Sequence, residues 1–346
     1  MLRTANANPV LRESGERFAA EFVRIRRRHG SRRPKSYDFG YVKKSLVAAL
    51  LLVSGALLAG PNTSAGLADD GPQLAVFVMN ADGTDVRKLA QAPGKRAHAA
   101  PSWSSDGKLV VFHAYPKDSS TPDSHVFSVK DDGSDLKDLG AGALATWSPD
   151  NKQLLFSMDD ANPEKAQAGV WVMNADGKGR QFLFPGTAPV FAPDGSRILY
   201  VSSHEGNQSI YSYDVIEGMP KKILQETYQK RPGSARWSPD GKRVAFVDER
   251  AGKIELYLID AAGSEKGQTM RLRGLLGGLV AWAPNTKLLV SSKEKDMNDP
   301  QRLCTLAPDG DDSPVLVPNQ DAGKLNFDPT WSPDGKRIVF ISDREK

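Results

Sequence analysis

The chain has 346 residues, 39% of them apolar and 25% charged, which excludes a largely disordered polypeptide. One cysteine, Cys304, excludes an intramolecular disulfide or a cysteine-built zinc cage. The net charge of +4 is unevenly spread: residues 1–44 hold twelve Lys/Arg against four Asp/Glu, and 45–68 carry none, so the remaining body has 34 basic and 38 acidic side chains. A mildly acidic body gives no electrostatic reason to expect a nucleic-acid partner.

The first 68 residues read as a leader. Lys43 and Lys44 precede an apolar run, Leu46–Ala59, interrupted only by Ser54 and Gly55, and small residues follow up to Gly66, Leu67 and Ala68. A charged start, a short apolar core and small residues before a cut are the order of a secretory signal. The core falls short of the roughly 20 residues of a spanning helix. The alternative is an uncleaved membrane anchor that recruits the uncharged residues up to Ala68. Because such a signal belongs at the very start of a chain, translation is expected to begin at Val42. Residues 1–41 are then a mis-called or disordered basic leader, 42–68 the signal peptide and 69–346 the folded body. A long genuine leader is the other option, with Ser31, Arg32 and Arg33 as a faint twin-arginine signal. Either way the body is expected in the periplasm or outside the cell.

From residue 74 onward one unit recurs. An aromatic residue opens a turn and an apolar strand at Trp103, Trp147, Phe191, Trp237, Trp282 and Trp331, at spacings of 44, 44, 46, 45 and 49. Between these lies a second element: Val76–Leu89, Val126–Leu139, Val170–Leu183, Ile210–Leu224, Leu256–Leu272 and Leu303–Val317. A period near 45 with two hairpins per unit predicts a four-stranded propeller blade. The turns agree. In Ser238–Gly241 and Ser332–Gly335 (Ser-Pro-Asp-Gly) proline presets φ, serine accepts hydrogen bonds, and glycine supplies the left-handed residue of a tight hairpin. Asn80–Gly83 and Asn174–Gly177 serve the second hairpin alike. Arg243–Val247 and Arg337–Ile341 are apolar on consecutive residues, as in strands buried on both faces. Pro101, Pro189 and Pro329 stand two before an aromatic, where an edge strand tolerates them.

The repeat region opens with half a unit, 74–89, and closes with the other half, 331–342. The two halves are expected to complete one blade and leave no open edge. The fold class is therefore all-β: a six-bladed β-propeller of four-stranded antiparallel blades, closed by the N-terminal hairpin joining the C-terminal blade.

These units resemble the propeller repeats of the TolB-type family, six-bladed periplasmic domains built from W-S-P-D-G and I-Y-V-M-N-A-D-G elements. Trp147, Trp237 and Trp331 with their turns match best; the Trp282 unit lacks the turn glycine and the Trp103 unit the proline. The resemblance covers 74–346 and concerns the propeller alone; a counterpart of the α/β domain that precedes it in TolB is not expected. It implies an envelope role, which in TolB is exercised together with Pal and TolA.

No nucleophile elbow, P-loop, zincin motif or dinucleotide fingerprint is present. The hydrolase domain that follows similar propellers in prolyl-oligopeptidase-like enzymes is not expected, because this chain ends in its last blade. The Asp-rich turns at Asp82–Asp85, Asp131–Asp135 and Asp309–Asp312 read as hairpins, lacking the oxygens and the distant Glu of a calcium loop. Cys304 is expected to be a small core residue. Both tight turns of each blade should lie on one face and all long connections on the other. Those connections contain or border His98, His113, His125 and His204, three of them in one blade.

The expected function is non-catalytic: an exported scaffold that binds an envelope protein, a peptidoglycan-associated ligand or another polymer on its loop-rich face, with no cofactor. It is expected to be a monomer, without nucleic acid, touching a membrane only through an uncleaved leader. His98, Arg231, Asn326 and Asp328, which precede innermost strands, are the candidate contacts at the channel mouth. The alternative is a metal-dependent polysaccharide lyase or hydrolase that uses the four histidines, as in pectate-type lyases on related propellers that hold manganese. Convergence of those histidines distinguishes the two.

Overall fold

The computed structural model describes residues 73–116, 124–159, 166–203, 208–224, 235–250, 253–263, 268–270, 275–285, 287–293, 300–308, 314–321 and 323–345. The expected leader, residues 1–68, lies outside them, and among the described residues there is no helix.

Each repeat folds as one four-stranded antiparallel sheet, and there are six. Blade 1 comprises β3 (Lys95–Trp103), β4 (Leu109–Pro116), β5 (His125–Lys130) and β6 (Lys137–Ala141). Blade 2 comprises β7 (Ala143–Trp147), β8 (Gln153–Met158), β9 (Gly169–Asn174) and β10 (Gln181–Phe184). Blade 3 is β11 (Thr187–Phe191), β12 (Arg197–Ser202), β13 (Ser209–Asp214) and β14 (Pro220–Lys222). Blade 4 is β15 (Arg236–Trp237), β16 (Arg243–Arg250), β17 (Lys253–Asp260) and β18 (Gln268–Met270). Blade 5 is β19 (Leu275–Trp282), β20 (Leu288–Lys293), β21 (Arg302–Leu306) and β22 (Val315–Leu316).

The sixth blade closes the ring. β1 (Ala75–Asn80) and β2 (Arg87–Ala90) join β23 (Asn326–Trp331) and β24 (Arg337–Ser342) in the order β2-β1-β24-β23. Six residue pairs, from Ala75 opposite Ser342 to Asn80 opposite Arg337, stitch the two ends of the repeat region together. The edge of β24 is thereby covered by the chain's own N-terminal hairpin, as the split repeat requires.

The tight turns carry a shared lock. In four of the blades the turn serine, at Ser104, Ser148, Ser238 and Ser332, donates its hydroxyl to the following aspartate at 2.6 Å and accepts the backbone N–H of the residue that starts the next strand at 2.9 Å. These bonds, with the backbone bond from Lys242, hold Asp240 below the ordinary carboxylate pKa. The first-hairpin and second-hairpin turns of one blade are also tied together, for instance Asp131 N–H to Lys108 O (3.0 Å) and Ala261 N–H to Lys242 O (2.8 Å). Both turns of a blade therefore sit on one face of the ring, and the long connections lie opposite.

The core lies between blades. Trp103, Trp147, Phe191 and Trp237 are buried, while Trp282 and Trp331 are half-buried. Arg197, Arg243 and Arg337 lie over Trp237, Trp282 and Trp103 of the following blade, 4.6, 5.3 and 4.8 Å from the ring centres. A guanidinium over an aromatic face adds to the area it covers. Cys304 is buried on β21, as expected of a small core residue.

Candidate functional site in the central channel

The innermost strands β3, β7, β11, β15, β19 and β23 are each paired on one side only. Their other edge borders the central channel. Pro101, Pro189 and Pro329 are buried on these edges, where a residue without an N–H leaves no donor unpaired.

Three residues before the repeat aromatic, the innermost strand is bulged. Ala100, Leu144, Ala188 and Asp328 adopt φ of 48°, 54°, 52° and 49°, and the register shifts there in β3, β7, β11 and β23. β19 shifts likewise between Gly277 and Ala281. A bulge re-aims the backbone, and here it turns an N–H away from the ladder toward a neighbouring blade. Two bulges are answered by the second strand of the preceding blade: Leu144 N–H donates to His113 Nδ1 (3.3 Å) and Ala188 N–H to Ser157 Oγ (3.0 Å).

The position equivalent to His113 and Ser157, ten residues after the aromatic, is Val247 in blade 4 and Ile341 in blade 6. Neither can accept a hydrogen bond. For the blades that follow these two, Asp328 supplies the acceptor. Its Oδ2 takes Ala100 N–H of blade 1 (3.1 Å) and its Oδ1 takes Leu279 N–H of blade 5 (3.2 Å). One carboxyl of the closing blade thus serves both flanking blades.

Asp328 is fully buried, and burial pushes its carboxyl up to about 7 against the pull of the two backbone donors and of Arg236. Burial pushes the Arg236 guanidinium down to about 10, opposed by Asp328. The Tyr115 hydroxyl is raised by burial and then by the negative charges of Asp328 and Asp159. Asp328 belongs to blade 6, Arg236 to blade 4 and Tyr115 to blade 1, and Asp159 directly follows β8 of blade 2. Asp328 and Arg236 both stand on innermost strands, two blades apart, and act on each other as charges; Tyr115 and Asp159 stand at the ends of second strands, next to that channel-facing layer. First strands start and second strands end on the loop face, so Asp328, Tyr115 and Asp159 lie toward that end, while Arg236, directly before its turn, lies deeper along the channel.

His113 completes it. Because its Nδ1 accepts from Leu144, its proton resides on Nε2, 3.1 Å from the Tyr115 hydroxyl oxygen. Burial, followed by repulsion from His98, depresses it to about 3, so the ring is neutral. His98, on β3, is also buried and lowered to about 4, chiefly by burial, and its Nε2 accepts Ala92 N–H at 2.8 Å.

The sequence candidates distribute unevenly. His98, Asn326 and Asp328 do not precede the innermost strands but lie within β3 and β23, and all three are buried. The bulge prolongs the strand past the point where the repeat pattern ends, which carries these side chains inward from the mouth. Arg231 and His204 lie outside the described residues. His125 sits on β5 with its Nδ1 2.8 Å from Asp138 Oδ2, away from the channel-facing strand. Among the described residues no three of His, Cys, Asp and Glu are placed to hold a metal ion. The Asp-rich turns employ their oxygens within the protein: Asp82 Oδ1 accepts from Thr84, Asp132 Oδ1 from Ser134 and Asp131 Oδ2 from Arg337. Asp309–Asp312 lie outside the described residues. Sequence reasoning passed over Arg236 and Tyr115; the available signal was a lone cation, Arg236, directly before a repeat aromatic.

The family model for the TolB beta propeller domain matches residues 137–321, more than half of the chain. No curated protein sequence matches it. Similar solved structures include a protein assigned as TolB in Agrobacterium tumefaciens, 18% identical at a TM-score of 0.61 over 78% of this chain and 98% of that one. TolB from Acinetobacter baumannii is 16% identical at a TM-score of 0.55, over 80% of this chain and 65% of that one. The tricorn protease matches at 16% identity and a TM-score of 0.54, over 70% of this chain but 24% of its own. At such identities the likeness is one of fold.

Proposed function

This chain belongs to the TolB β-propeller domain family, and on that premise we propose that it is an exported, non-catalytic binding scaffold of the cell envelope. It takes a protein or polymer partner on the loop-rich face, around the channel mouth. The observation that carries this reading is the asymmetry of the ring. One face is built from tight turns whose donors and acceptors are consumed by the serine–aspartate lock and by turn-to-turn backbone bonds. The strands that run from those turns to the loop face carry Asp328, Arg236, Tyr115 and His113, with Asp159 directly after one of them, so polar groups of four blades stand on or beside the channel-facing layer. Rigid scaffolds concentrate recognition on such connections rather than on turns fixed by backbone demands.

An envelope location is part of the proposal, supported by the family and by the signal-like segment 42–68. The test has two arms. Cell fractionation should recover the protein, cut near Ala68, outside the cytoplasm; a full-length cytoplasmic product would overturn the export reading. Capture from envelope extracts with the purified propeller, compared with variants at Arg231, expected from the sequence in a long connection, and at Asp194 on the turn face, should lose the partner only for the Arg231 change. Loss confined to the turn-face variant would refute the assignment of faces.

A further inference from the structure

Arg236 carries a charge that its surroundings do not pair directly. It lies on β15 between two buried neighbours, Ala235 and Trp237, yet is itself only half-buried. Among the described residues its guanidinium makes one hydrogen bond, Nη1 to Ala235 O at 3.0 Å, and no carboxylate stands within ion-pair distance. Its backbone carbonyl is taken by the Trp282 indole (3.2 Å). Asp328 acts on it only as a charge, from a blade two places round the ring, and both Asp328 oxygens are already engaged by backbone N–H groups.

The equivalent positions of the other blades, directly before the repeat aromatic, are Ser102, Thr146, Val190, Ala281 and Thr330. Among these six equivalent positions Arg236 is therefore the one charged residue, the others being small, hydroxylated or apolar. A half-buried guanidinium that spends Nη1 on a backbone carbonyl and keeps its remaining donors matches a planar anion offering two oxygens. The charge of Asp328, which acts on Arg236, penalises a dianion such as phosphate more than a singly charged group. An extended peptide suits the surroundings, since six unpaired strand edges line the passage.

We propose that the channel lumen at Arg236 is a carboxylate-binding site, for the carboxylate of a small acid or of an acidic residue in a peptide entering from the loop face. The peptide source rests on the scaffold reading above; the site itself does not. The test is calorimetric titration of the full chain with succinate and with N-acetyl-glutamate amide, each against its uncharged amide counterpart. At least one carboxylate should bind and its amide counterpart should not. Arg236→Met should weaken binding by about tenfold or more, the loss expected for one charge-assisted pair. Arg236→Lys should fall between the two and serves if the methionine variant does not fold. Binding of succinate alone assigns the site to small acids, whereas binding of the blocked glutamate assigns it to peptides. Failure of both carboxylates to bind, equal binding of the amides, or full affinity in both variants would overturn the site. Capture of an envelope partner by Arg236→Met would leave the scaffold reading intact while the carboxylate site is judged on its own titration.

Discussion

Replacing Asp328 tests the idea that one carboxyl ties the closing blade to both neighbours. In Asp328→Ala, Ala100 N–H and Leu279 N–H lose their acceptors at once. An orphaned buried donor costs about 1–3 kcal/mol, so the pair amounts to about 2–6 kcal/mol. The carboxyl also makes stability depend on pH. Its folded pKa, about 7, lies above the ordinary 3.8, so between those values the folded protein holds a proton that the unfolded chain has released. Its contribution is therefore complete below about pH 4 and declines as pH rises through about 7. A shift of about three units corresponds to roughly 4 kcal/mol over that window. Urea unfolding of the parent and of Asp328→Ala at pH 4.5, 6 and 7.5 should show the largest gap at pH 4.5 and a narrowing gap above. Asp328→Asn should also remove the pH dependence. It keeps an oxygen for one bulge and tolerates the left-handed backbone at this position (φ 49°), but it turns its amide toward the other N–H. A gap that stays constant or widens toward alkaline pH would refute the reasoning, because the carboxylate would then be ionised and held by its donors throughout.

Three further outcomes follow from the packing. Trp237→Ala should cost about 3–5 kcal/mol by leaving a cavity between blades under Arg197, and the half-buried Trp282 should cost less on the same unfolding assay; equal small losses would mean that the repeat aromatics are not core residues. Ser238→Ala should cost about 1 kcal/mol and let the Asp240 carboxyl rise toward its ordinary value in an NMR titration. Asp240 is depressed in the fold, so its contribution is present above its unfolded pKa and lost as pH falls, and an unchanged Asp240 titration would contradict the lock. Deleting Gln73–Leu89 removes β1 and all but the last residue of β2, exposes the edge of β24 and should produce aggregates by light scattering; a monomer with unchanged Tm would contradict closure of the ring.

The sequence by itself determined the blade count, the strand order and the way the ring closes. Those follow from local rules repeated six times: the aromatic, the Ser-Pro-Asp-Gly turn and the doubly apolar strand each act within a few residues, and the split first and last units leave one pairing that covers every edge. It also marked His98, Asn326 and Asp328 as lying near the innermost strands, and it brought His98, His113 and His125 to one blade. Only the tertiary structure decided what those side chains do. Asp328 is called upon because Val247 and Ile341, residues of blades 4 and 6, cannot accept a hydrogen bond from the bulge of the blade that follows each, and no spacing along the chain encodes that lateral demand. Arg236 becomes a lumen cation for a similar reason. Its neighbours in space come from blades that lie dozens of residues apart, and their charges meet only once the ring has closed around a shared, poorly solvated channel, where burial decides which groups keep their protons.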